Sequence, residues 1–186
     1  MSSSAITGNT SGLASATSPG LVGITTQTFA GKKTFSTGAL ISGDSAGTTI
    51  TAGYIGYQVK GFTAVASAVP LTTSTYTDVV SGGISLGVGT WDISAVVGFK
   101  STSVTGTQNL CGIGTTVGNS GAGLTQGDSR VDTPTFPNTN AEMMINIPQY
   151  RVIVTSGTVT YYLKAYSTFT VGSISAYGRI SAVLVG

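Results

Sequence analysis

Tyr150-Arg-Val-Ile-Val-Thr-Ser-Gly-Thr-Val-Thr-Tyr-Tyr-Leu-Lys-Ala-Tyr166, followed after a short break by Ile174-Ser-Ala-Tyr-Gly-Arg-Ile-Ser-Ala-Val-Leu-Val-Gly186, decides the fold. Both runs are β-branched and aromatic, the composition that fits a pleated, half-buried surface. Ser156-Gly157 between two such runs predicts a hairpin turn. Side chains alternate between faces along a strand. Val159, Tyr161, Leu163, Ala165 and Ser167 therefore share one face, and Thr160, Tyr162, Lys164 and Tyr166 the other. In the last run Ile174, Ala176, Gly178, Ile180, Ala182 and Leu184 alternate with Ser175, Tyr177, Arg179, Ser181, Val183 and Val185. One face of this run belongs on the chain's own core. The second, with Tyr, Val and one charge, also calls for cover.

Composition agrees with a strand-built protein. Only 8% of the 186 residues are charged, against about 25% in ordinary soluble domains. The apolar residues come in strand-length pieces, so the chain buries a core, and no run approaches the ~18 apolar residues of a membrane helix. Without a helical pattern rich in Leu, Glu and Lys, the chain reads as all-β. Scarce charge also points to oligomer interfaces, whose cores exclude charged residues; a Ser/Thr-coated free surface is the alternative. The net charge is +2, and Lys32-Lys33 is the one basic pair. No basic stripe marks a nucleic-acid partner. The start, Met1-Ser-Ser-Ser-Ala, lacks the regions of a signal peptide, so synthesis in a cytosol, with release, if at all, by another route, is expected.

Three segments follow from texture. Residues 1–19 are Ser, Thr, Gly and Asn with hardly an apolar anchor, an arm that orders only against a partner. Residues 20–52 hold two short extended pieces in which Phe29 and Phe35 bracket a turn. They are too small to close a core alone, so copies from other subunits are expected to cover them. Residues 53–186 carry a tally of roughly eight short strands separated by turn signals, the pattern of a sandwich or jelly roll. The clearest alternation is Trp91-Asp-Ile-Ser-Ala-Val-Val-Gly-Phe-Lys100, which assigns Trp91, Ile93, Val97 and Phe99 inward. Leu110 to Val117 reads as a possible strand, and Asp128 to Thr139, with Pro134 and Pro137, as a loop.

Chemistry is hard to find. With no His and a single Cys, zinc, copper and iron sites are excluded in practice, and Cys111 reads as a small buried hydrophobe. Asp128 and Asp132 flank Arg130 without the spacing of a calcium loop. No carboxylate pair stands out for glycoside cleavage. The Gly-rich stretches at Gly82-Gly83 and Gly87–Gly89 open a strand rather than a phosphate-binding helix. The chain is therefore not expected to be an enzyme, and no cofactor is expected. Tyr161, Tyr162, Tyr166 and Tyr177 have two readings, a sugar platform or the tiles of a subunit interface, where Tyr is enriched. The second is preferred.

Two pieces resemble a known group. Gly20-Leu-Val, then Gln27-Thr-Phe-Ala-Gly-Lys-Lys-Thr-Phe35, is similar to a segment upstream of the head in bacteriophage fibre proteins. Gly53-Tyr-Ile-Gly, Gly89-Thr-Trp-Asp-Ile-Ser-Ala, Tyr162-Leu-Lys-Ala and Ile174-Ser-Ala-Tyr-Gly-Arg-Ile-Ser-Ala look like the trimeric jelly-roll head of such fibres, which is similar to tumour-necrosis-factor and complement-type heads. The resemblance implies a homotrimeric fibre or spike on a virion surface that attaches the particle to a host. The expected fold is then a jelly-roll sandwich head preceded by an extended, trimer-dependent N-terminal arm. Phe29, Phe35, Tyr162, Tyr166, Tyr177 and Val183 are the candidate trimer interface. Loops on a rigid sandwich usually carry binding, so Asn119, Asp128, Arg130, Phe136 and Asn138 are the candidates for meeting a host glycan or protein. Other virion proteins in the capsid, neck or tail are the expected partners of the arm, with neither nucleic acid nor membrane insertion. Capsid decoration, as a cement or head-fibre protein docked through the arm, is the alternative function. A polysaccharide depolymerase comes last.

Overall fold

The computed structural model describes residues 52, 55–134 and 141–186. Residues 1–51 lie outside these, and with them Phe29, Phe35 and the two N-terminal segments, as do Phe136 and Asn138. Six strands follow in order: β1 (Gln58–Thr63), β2 (Val69–Pro70), β3 (Thr77–Asp78), β4 (Ile84–Gly114), β5 (Arg130–Pro134) and β6 (Glu142–Leu184). The one helical turn among the described residues is a 3₁₀ turn at Val65–Ser67.

Register explains the architecture. Gln58 pairs with Val183, Val69 with Ala176 and Thr77 with Ala165. Ile84 pairs with Tyr161, Lys100 with Glu142 and Gly112 with Arg130. Partner numbers fall as residue numbers rise throughout, the antiparallel sense. The chain from Gln58 to Gly112 therefore forms one long hairpin with the chain from Arg130 to Val183, and the hairpin's tip is residues 113–129. A second register joins the hairpin to itself: Trp91 pairs with Leu184, Thr102 with Ser173, Thr105 with Val171 and Gly114 with Tyr162. An antiparallel hairpin rolled up so that its two arms pair a second time is a jelly roll. The long strands β4 and β6 each supply segments to both layers. One layer runs in the order 58–63, 173–184, 89–102, 142–154, and the other in the order 77–78, 162–171, 105–114, 130–134. The two layers hold eight such segments, close in number to the expected tally although 130–134 was expected as a loop, and 84–87 against 158–161 add a further pair.

The roll turns its corner at residues 102–105 and 171–173. Ser103 has φ 51° and Gly172 φ 79°. A Cβ on Gly172 would collide with the carbonyl oxygens of Thr102 and Ser103. Only glycine permits both the left-handed backbone and this approach.

Between the layers lies the core. Trp91, Ile93, Val97 and Phe99 are buried as their alternation requires, together with Ile174, Ala176, Ile180, Ala182 and Leu184 from β6. Contact across the layers is close. A Cβ on Gly61 would lie 2.6 Å from Val80 Cγ1, and the Thr63 hydroxyl donates to the Val79 carbonyl at 2.7 Å.

Two local expectations fail. Ser156-Gly157 is not a hairpin turn: Val154 pairs with Gly89 and Thr158 with Gly87, so the strand continues along the same neighbour past an outward bulge. Gly157 has φ 64°, which lets the extra residues loop out without reversing the chain. The loop expected at Asp128–Thr139 contains β5, which pairs with residues 108–112. Its sequence, Arg-Val-Asp-Thr-Pro, hides the strand because its residues lack an apolar alternation.

Candidate functional site

Two surfaces of the roll gather the candidate residues. The first is the hairpin tip. Residues 115–129 fold back against β4, where a Cβ on Gly112 would lie 2.9 Å from Leu124 Cδ2. Lys164, on the polar face of β6, is fully buried. Its ammonium pairs with Asp78 Oδ1, its register partner on β3, and donates to the Gly118 carbonyl at 2.7 Å. The Gly118 N–H donates to Asp78 Oδ2 at 2.7 Å. The Tyr162 ring lies 5.4 Å from the Lys164 nitrogen, so the charge is met by a carboxylate, a carbonyl and an aromatic face together.

Beside this clamp, Tyr76 packs on Tyr166 with ring centroids 4.9 Å apart, and a Cβ on Gly121 would collide with the Tyr76 ring. Arg130 grips Asp132 with two bonds, Nε to Oδ1 at 2.8 Å and Nη2 to Oδ2 at 2.9 Å, which raises the pKa of its guanidinium. Of the loop candidates, Asn119 and Asp128 are exposed on this tip, whereas Arg130 is committed to Asp132. Tyr162 and Tyr166 are half-buried against their own chain, Tyr162 beside Lys164 and Tyr166 against Tyr76.

The second surface is the outer face of the layer that holds 58–63, 173–184, 89–102 and 142–154. Register sets its rows: Arg151, Asp92, Val183 and Gln58; Asn146, Val96, Arg179 and Phe62; Met144, Gly98 and Tyr177. The Tyr177 ring lies flat over Gly98, since a Cβ there would collide with it, and its hydroxyl is 3.5 Å from Glu142 Oε2. Desolvation and the nearby Glu142 raise the Tyr177 pKa. Arg151 binds Asp92 through Nε at 2.8 Å and Nη2 at 3.1 Å and holds that carboxyl below its usual range. Phe62 is 67% exposed, Met144 62% and Ile153 68%. Tyr177 and Val183, expected at an interface, share this face. Phe62, Met144 and Ile153 are residues that sequence reasoning missed. The signal for Phe62 was present, because Gln58, Lys60 and Phe62 alternate with Val59, Gly61 and Thr63.

No family model matches the chain, and no curated protein matches it. Solved structures do show a likeness. The T13 particle of infectious bursal disease virus is similar at TM-score 0.43 and 13% identity, over 80% of this chain and 36% of that one. The VP2 subviral particle of the same virus gives 0.40 and 12%, over 80% of this chain and 38% of the other. The Gx strain of that virus gives 0.37 and 15%, over 70% and 32%. The chain spans about a third of the length of the chains it matches.

Proposed function

We propose that this chain forms the head of a homotrimeric fibre or spike on a virion surface and attaches the particle to its host. The observation that carries the assembly is the outer sheet face: a closed jelly roll leaves Phe62, Met144 and Ile153 more than three-fifths exposed on one layer, with Tyr177 laid flat among them. Covering such side chains stabilises by about 1.5–3 kcal/mol each, and two sister copies are the simplest cover. The virion setting rests on the resemblance of residues 20–35 and of the four head motifs to phage fibres. The exposed Asn119 and Asp128 on the clamped tip are the residues offered to a host surface.

Adsorption is the test. Particles that carry this chain are compared with particles lacking it, and the purified protein is added as a competitor. Reduced adsorption without the chain and blocking by the free protein support the reading. Normal adsorption without it refutes host attachment and leaves capsid decoration.

A further inference from the structure

The hairpin tip hangs on little apolar packing. Within residues 115–129, Val117 is 65% exposed and Leu124 is only half-buried. Gly118, Gly123 and Gly127 have φ of 78°, 82° and 82°, and a Cβ on any of them would meet nothing within 4 Å. No side chain packs on these positions, and their positive φ suits glycine. The Ser129 end is tied to β4, where the Ile113 N–H donates to the Ser129 carbonyl at 2.9 Å, and Leu124 and Gly121 lie against Gly112 and the Tyr76 ring; the Val117–Gly118 end is held by side-chain bonds. Lys164 and Asp78 take hold of the carbonyl and the N–H of one residue, Gly118.

We infer that residues 115–129 are a strap that opens as a unit while the jelly roll stays intact, and that the Lys164–Asp78 pair is its latch. Three features lead there. The ladder of β5 on residues 108–112 anchors both ends of the segment independently of the clamp. Asp78 and Lys164 sit on neighbouring strands, so their pairing survives when Gly118 leaves. Opening returns water to both charges, which removes the penalty of burying them and favours the open state over a closed strap with a broken latch. Segments with few buried apolar contacts open first in native proteins. The inference stands whether or not the tip meets a host, because it concerns how this segment is held.

Hydrogen exchange on the whole chain tests it. In the wild type, the Gly118 and Leu124 amides should exchange at least about a hundredfold faster than those of Ile93 and Val97, through an opening insensitive to low denaturant. Lys164→Met should speed Gly118 exchange by a further factor of about ten or more, with Ile93 and Val97 unchanged. Gly118 exchanging together with the core in the wild type overturns the strap, and that measurement does not depend on the variant. An unchanged Gly118 rate in Lys164→Met, or a variant that cannot fold at all, overturns the latch.

Discussion

Substituting Gly172 by Ala probes the corner on which the roll depends. Two costs add. A left-handed φ of 79° costs an alanine about 1–2 kcal/mol. The new methyl would also collide with the Thr102 and Ser103 carbonyl oxygens, which are backbone and cannot swing aside. Shifting a packed backbone to admit extra atoms costs about 1–3 kcal/mol. The total, about 2–5 kcal/mol, is a large share of the 5–15 kcal/mol that holds a domain together. Gly157→Ala separates the two costs. Gly157 has φ 64°, but its Cβ would meet nothing within 4 Å, so this variant carries the first cost alone. Urea unfolding of the three proteins at one fixed chain concentration measures both, because assembly makes apparent stability concentration-dependent. Gly172→Ala should lose about 1–3 kcal/mol more than Gly157→Ala with an unchanged slope. Equal losses would show that the ribbon does not fold over at residue 172.

Other perturbations test separate features. Burial, and then the charge of Asp132, push the Cys111 thiol up to about 12. Thiol reagents at about pH 8 should therefore modify it only at the rate of unfolding, and rapid labelling of the native protein would contradict its burial. Arg151 lowers the pKa of Asp92, so the pair contributes above the unfolded carboxyl's pKa and is lost as pH falls through the lowered one. In Arg151→Gln the Asp92 carboxyl should titrate closer to its usual value by carbon NMR; an unmoved titration would show that the pair does not form in solution. Phe62→Glu places a charge on the outer face and should yield single chains that melt cooperatively, whereas an unchanged assembly would mean that this face is free.

Alternation made the layers legible. Every second residue of 91–99 and of 174–184 was enough to assign the inward side chains, because a face packed on a core admits little else. The clamp was not legible. Asp78 and Lys164 stand 86 positions apart, and each alone looks like an ordinary solvated charge on a strand. Only the register of β3 on β6 makes them a pair. The Ser156-Gly157 turn misled because a glycine with positive φ serves a bulge as well as a hairpin, and sequence carries no sign of which neighbour the next residue will find. The packing of Tyr166 on Tyr76, ninety positions away, was equally unmarked in the sequence. Phe62 escaped notice because its strand keeps Gln58 and Lys60 on the same side, which disguises one exposed aromatic as a surface residue.

The claim that this roll is completed by copies of itself is tested most directly by its mass in dilute solution. Sedimentation equilibrium of the whole chain should give three times the 18.6 kDa of one subunit. A single 18.6 kDa species that unfolds cooperatively at all concentrations would contradict it and leave Phe62, Met144 and Ile153 as ordinary exposed side chains.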